Sequence, residues 1–250
     1  MQQLNFSSWS ARIAAFALVA VLSACASWFE KGPEDSADVH LQLGVRYIGM
    51  DKLEIGKGHL ERALAKEPNN PKILNAMAFL YEKLEKPKEA KAYYVKAIKL
   101  APEDVSIQNN YGHFLCEHKQ YEKGLEMLTA AAKNRLNDRE WLALTNAGIC
   151  QLGLGQKQKA KSYFKQALLL DETYAPALLE MLKISYGSGE YWPAKAFLQR
   201  YLSVGNHNPD SLWFGMQTER ALGNDNEARQ YETILLEKFP LSEQAQKVAR

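Results

Sequence analysis

The chain has 250 residues, 46% hydrophobic and 24% charged, a composition that excludes a disordered or collagen-like protein. Lys and Arg number 31 against 29 Asp and Glu, for a net charge of +2. A balance this even, without a basic run, argues against a nucleic-acid partner and against a polybasic patch for anionic lipid.

Residues 1–24 read as an address and not as fold. Arg12 supplies a short basic region, residues 13–22 (IAAFALVAVL) an apolar stretch, and Ser23 and Ala24 the small residues before a cleavage point. Ten apolar residues are too few to cross a bilayer as a helix. Leu22-Ser23-Ala24-Cys25 resembles the lipobox of bacterial lipoproteins. That resemblance implies that Cys25 opens the mature chain and carries a diacylglycerol thioether and an N-acyl chain. Each buried CH₂ contributes about 0.8 kcal/mol, so three acyl chains anchor stably where one does not. By the sorting pattern of such lipoproteins, Ala26 in place of Asp implies lipid anchoring at the outer membrane, on its periplasmic face. Residues 25–36, with Gly32 and Pro33, read as the lipidated Cys and a tether.

From Ala37 the chain repeats with a period of 34 residues. The frames are 37–70, 71–104, 105–138 and, after two extra residues, 141–174, 175–208 and 209–242. The eighth position is Gly44, Ala78, Gly112 and Gly148 in the first four frames. The twentieth is Gly56, Ala90, Gly124, Ala160, Ala194 and Ala228, and the twenty-seventh Ala63, Ala97, Ala131 and Ala167 in the first four. Pro68, Pro102 and Pro240 share the thirty-second. Small residues at a constant phase let two antiparallel helices approach, large ones such as Tyr47, Tyr81, Tyr94 and Phe164 fill the holes, and proline ends the second helix. No such pair buries its apolar face alone, so neighbours must stack. The pattern resembles the tetratricopeptide repeat. The resemblance implies an all-α, right-handed superhelical solenoid of six repeats. Leu182, Tyr201, Met216 and Leu235 stand where small residues are expected, which predicts less regular packing in the last two repeats. Ser242 is placed to cap a short final helix over 243–250.

Nothing in the motif inventory points to catalysis. Phosphate loops, H-E-x-x-H and G-x-S-x-G are missing, and Gly153-Leu154-Gly155 reads as the turn between the helices of the fourth repeat. His113 and Cys116 share a helix face and Cys150 could join them, but a fourth ligand is lacking. No enzyme activity, metal, cofactor or small-molecule substrate is expected.

A lipobox, a short tether and six repeats, with the two-residue slip and the Cys116 and Cys150 pair, is similar to the PilF/PilW family of type IV pilus biogenesis lipoproteins. The resemblance implies a monomeric pilotin. It would bind subunits of the type IV pilus secretin and promote their localisation and multimerisation in the outer membrane. A scaffold for another envelope assembly is the alternative. Cys116 and Cys150 fall near the ends of neighbouring first helices, which in an oxidising compartment predicts a disulfide; two partly buried thiols are the alternative. In a solenoid of this type the first helices line the concave face, with positions two, five, nine, twelve and thirteen exposed. That places Leu41, Val45, Ile48, Asn75, Phe79, Asn109 and His113 in a candidate protein-binding groove. Asn side chains one repeat apart can hold a peptide backbone, and an apolar strip beside them can take alternate side chains. Alternatively the tether, through Trp28 and Phe29, covers Leu41 and Val45.

Overall fold

The computed structural model describes residues 35–249, so the signal segment, Cys25 and the tether residues Trp28 and Phe29 lie outside the described residues. The described elements are thirteen α-helices in two compact units, one ending at Leu100 and the other starting at Ala101. The first unit holds α1 (Ala37–Gly49), α2 (Leu53–Lys66), α3 (Pro71–Lys83) and α4 (Pro87–Leu100). In the second, α5 (Val105–Glu117) pairs with α6 (Tyr121–Lys133), and α7 (Glu140–Gly153) with α8 (Lys157–Leu170). There follow α9 (Ala175–Tyr186), α10 (Tyr191–Val204), α11 (Pro209–Ala221), α12 (Asp225–Lys238) and the short α13 (Glu243–Val248). Within each unit, partners in a pair pack on each other. First helices of neighbouring pairs also meet, α1 with α3, α5 with α7 and α9 with α11.

Four of the six first helices start on a side-chain cap, while Arg139 and Tyr174 precede α7 and α9 without one. Ser36, Asn70 and Asp104 accept backbone N–H groups at the starts of α1, α3 and α5. Asn208 makes a capping box with Ser211, and Ser242 accepts from the Ala245 N–H at 3.1 Å. Each such bond satisfies donors the helix itself leaves open.

Second helices start differently. Lys52, Gln120, Gln156, Glu190 and Asn224 precede them without a capping side-chain bond. The turn does that work. Its fifteenth-position residue is left-handed in all six pairs: Asp51, Glu85, Lys119, Gly155, Gly189 and Gly223, with φ between 55° and 79°. The next N–H then reaches back five residues, as from Lys52 to Tyr47 and from Asn224 to Glu219, both at 2.9 Å. This closes one helix and launches the next.

The close helix crossing explains the small residues. A Cβ on Gly44 would stand 2.6 Å from the Leu60 side chain, and one on Gly112 2.8 Å from Leu128 Cγ and 3.0 Å from the Gly124 carbonyl oxygen. A Cβ on Gly148 would meet the Phe164 ring at 2.6 Å. The eighth position is therefore notched because the twenty-fourth, Leu60, Tyr94, Leu128 or Phe164, fills the space; all four are fully buried. Proline does not itself end the second helices: α2, α4 and α12 stop at Lys66, Leu100 and Lys238, two residues before Pro68, Pro102 and Pro240.

Candidate protein-binding surfaces

In the first unit, α1 and α3 present part of the expected groove. Val45 is 49% exposed and Phe79 38%. Lys83 Nζ lies 5.4 Å from the centre of the Phe79 ring, so the ring carries a cationic rim. Leu41 is half-buried against the core and also lines an open cleft of about 640 Å³ with Asp38, Asn70, Lys72 and Ile73. Asn75 is half-buried on α3.

Ile48 does not belong to this surface. It is only 4% exposed, because Gly56 opens a notch for it: a Cβ there would come within 2.8 Å of Ile48 Cγ1. The twelfth position of the repeat is thus a packing position wherever glycine occupies the twentieth. Cys116 and Gly124 repeat the arrangement in the third pair.

In the second unit Asn109 also departs from expectation. It is 7% exposed, its Oδ1 accepts from Asn146 Nδ2 at 3.0 Å, and its own Nδ2 donates to Asn110 Oδ1 at 3.3 Å. Its amide ties α5 to α7 rather than standing open for a peptide backbone. Beside it runs a polar cleft of about 200 Å³ lined by Ser106, Asn110, Asn137, Arg139 and others. The loop around Asn137 carries the two extra residues of the repeat count, the one trace of this cleft in the sequence. His113 is half-buried with its Nε2 3.7 Å from Glu117.

Cys116 on α5 and Cys150 on α7 are bonded, with Cα atoms 5.3 Å apart. They are spaced by 34 residues, one repeat, yet occupy different repeat positions because of the two-residue slip. Leu128 and Ala147 pack around them, with Tyr121, Leu125 and Tyr163 at the margin.

A histidine cluster at the start of the first unit has no counterpart among the expected sites. His40 on α1 is 6% exposed. Its Nε2 meets Asp35 Oδ1 at 3.0 Å and its Nδ1 faces His59 Nδ1 of α2 at 3.1 Å. Lys66 Nζ holds the other Asp35 oxygen at 2.9 Å, and Tyr47 stacks on the His59 ring at 5.5 Å. Burial, His40 and Arg62 together hold the His59 pKa below its usual value. His40 and His59 lie 19 residues apart, and the pairing of α1 with α2 brings them together.

The tetratricopeptide repeat family matches residues 71–104 and 143–174. Together with the helix pairs, this decides the fold. The chain has an all-α tetratricopeptide repeat fold. Its likeness to PilF and PilW extends over most of its length. The type IV pilus assembly protein PilF of Pseudomonas aeruginosa is 28% identical over 211 residues, 84% of each chain. A solved Pseudomonas aeruginosa PilF structure matches with a TM-score of 0.75 and 28% identity, covering 88% of this chain and 99% of that one. A crystal structure of PilW, described as a widely conserved type IV pilus biogenesis factor, matches with a TM-score of 0.75 and 27% identity, covering 86% and 98%. Among the described residues of this repeat protein, no helix is long and apolar enough to cross a membrane.

Proposed function

We propose that this chain acts in type IV pilus biogenesis as a pilotin: a binding module, not an enzyme. It binds secretin subunits and promotes their localisation and multimerisation in the outer membrane. The observation that carries the reading is the match to PilF and PilW along more than four fifths of the chain, in sequence and in fold together. Cys25 anchors it as a lipoprotein on the periplasmic face, and residues 25–36 tether six repeats followed by a cap helix. The Cys116–Cys150 bond suits an oxidising compartment.

The physical logic of the role is holding. Secretin subunits expose strand edges until their barrel closes, and unpaired edges invite aggregation. A lipid-anchored monomer raises the local concentration of its client at the right membrane. The contact is assigned to the first unit, at Leu41, Val45, Asn75 and Phe79, where apolar side chains stand exposed beside polar ones. His113 borders the corresponding face of α5 in the second unit.

The test is a count of secretin multimers in outer-membrane fractions with and without this chain. Multimers lost and monomers stranded is the expected result. Unchanged multimers would refute the pilotin role and leave a scaffold for another envelope assembly. Val45→Glu and Phe79→Glu are expected to reproduce the loss while the melting temperature stays near that of the parent, because neither side chain is core. Cys25→Ala should release the protein into the soluble periplasm; its retention in washed outer membranes would refute the anchor.

A further inference from the structure

We infer that His40 and His59 form a binding site for an imidazole-seeking divalent cation of the zinc or copper class, with Asp35 orienting it. The inference rests on unit-one geometry and is independent of the pilotin reading.

Two Nδ1 atoms face each other at 3.1 Å. A metal with bonds of about 2.0–2.1 Å to each nitrogen spans that separation at an angle near 100°, between the cis edge of a square plane and the edge of a tetrahedron. The separation of the two nitrogens therefore already suits a two-ligand edge. The other side of His40 is prepared as well. Its Nε2 meets the Asp35 carboxylate at 3.0 Å, and that carboxylate is held in turn by Lys66 at 2.9 Å. A carboxylate on the distal nitrogen is the usual second layer of a histidine–metal site: it fixes the tautomer that leaves the ligating nitrogen bare and raises its basicity.

The proton count works. With Asp35 holding the proton on His40 Nε2, the single proton between the two Nδ1 atoms belongs to His59. The cation takes its place, and the proton returns to the same ring at Nε2. Both rings stay neutral, as ligands must. Stacking on Tyr47 fixes the plane of His59, and the half-exposed position of that ring leaves water to complete the coordination. Arg62 and Lys66 make the surroundings cationic, which weakens the affinity for a cation. Among the described residues no set of carboxylates lies between these rings for oxygen-seeking Mg²⁺, which ligand type therefore disfavours.

The experiment uses the full chain without a histidine tag, oxidised, stripped with a chelator and titrated with ZnCl₂ in a calorimeter, with MgCl₂ as the control. One Zn²⁺ per chain with micromolar affinity, a raised melting temperature and no heat from Mg²⁺ are expected. His59→Gln should weaken binding at least tenfold while its melting temperature in chelator stays near the parent. Asp35→Asn, which leaves both ligands in place, should weaken it about 10-fold. Should His59→Gln fail to fold, the Asp35→Asn titration and the loss of the His40 and His59 ring signals on adding Cu²⁺ to the parent decide the matter. No Zn²⁺ heat from the parent, or undiminished binding by a folded His59→Gln, would overturn the site.

Discussion

The third and fourth repeats solve helix packing differently from the fifth and sixth, although all four belong to the second unit. In the earlier two the crossing is made at glycine: Gly112 under Leu128 and Gly148 under Phe164. In the later two the same position holds Leu182 and Met216, and both are fully buried. In the sixth repeat the close approach shifts back one residue, to Gly215, where an added Cβ would lie 3.1 Å from Leu198 of the preceding repeat and 3.4 Å from Tyr231. The neighbour contacts differ as well. Repeats three and four are joined by the Cys116–Cys150 bond. Repeats five and six are joined by charge: Lys183 reaches Asp210 at 2.6 Å and Glu180 at 2.9 Å, and Gln244 of the cap helix donates to Asp210. Lys195 pairs at 2.9 Å with Glu219, a carboxylate almost fully buried and also held by Asn224. One backbone geometry therefore tolerates either a notch or a filler at its crossing, provided that the volume opposite is complementary.

Leu182→Ala attacks the filled crossing most directly. Deleting a fully buried leucine should lower stability by about 2–5 kcal/mol, read from urea unfolding. A loss below 1 kcal/mol would mean that the fifth repeat is as notched as the third, and the contrast would disappear. Removing the covalent link comes next. Cys116→Ala with Cys150→Ala should cost about 2–4 kcal/mol, since the bond closes a loop between residues 34 apart. Reduction of the parent should reproduce most of that loss, and an unchanged unfolding midpoint in reductant would argue that the cross-link contributes nothing.

Gly112→Ala adds one methyl where Leu182→Ala removes three carbons, and it too should destabilise, by about 1–3 kcal/mol, because the added Cβ meets backbone as well as side chain. A neutral result would show that α5 and α6 can separate without cost. The turn offers a smaller gain. Lys119 is left-handed with φ 59° at the position that Gly189 occupies two repeats later. Relief of about 1–2 kcal/mol of strain against glycine's backbone entropy predicts that Lys119→Gly stabilises by about 0.5–1 kcal/mol, seen as a raised melting temperature.

The smallest effect is that of alkali on the charged junction. Burial pushes the Lys183 pKa down, but the hydrogen bonds and charges of Asp210 and Glu180 outweigh it, and the net value is raised. A raised folded value means that the contribution is complete below the unfolded lysine pKa, near 10.5, and is lost as pH climbs through the folded one. Lys183→Met should therefore differ from the parent by less than about 1 kcal/mol at neutral pH after solvent screening, and the difference should shrink as pH climbs past the ordinary lysine value. A difference that grows with alkali would reverse the assignment.

Much of the fold was legible because a repeat prints its spacing into the chain. Gly44, Gly112 and Gly148 at one phase and Gly56 and Gly124 at another announced where helices cross, and Ser242 announced the start of α13. The candidate surface was legible only in part. Val45 and Phe79 are exposed as their positions implied, but Ile48 sank into the notch at Gly56 and Asn109 spent its amide on Asn146 and Asn110. A rule that assigns each repeat position to a face cannot see which neighbour has made room beside it.

Local chemistry, then, was determined by the sequence alone: the period, the caps and the small residues at helix crossings all act within a few turns of chain. Tertiary structure decided what depends on residues meeting across helices. It placed Leu182 and Met216 in the core despite their breach of the small-residue pattern, Leu182 packing beside Ala194 and Leu198. It turned Asp51, Glu85 and Lys119 left-handed although none is glycine, since pairing two helices across a tight turn outweighs about 1–2 kcal/mol of backbone strain. It also set His40 against His59, 19 residues away, at a distance of 3.1 Å that no spacing in the chain expresses, because that contact exists only once α1 and α2 have folded onto each other.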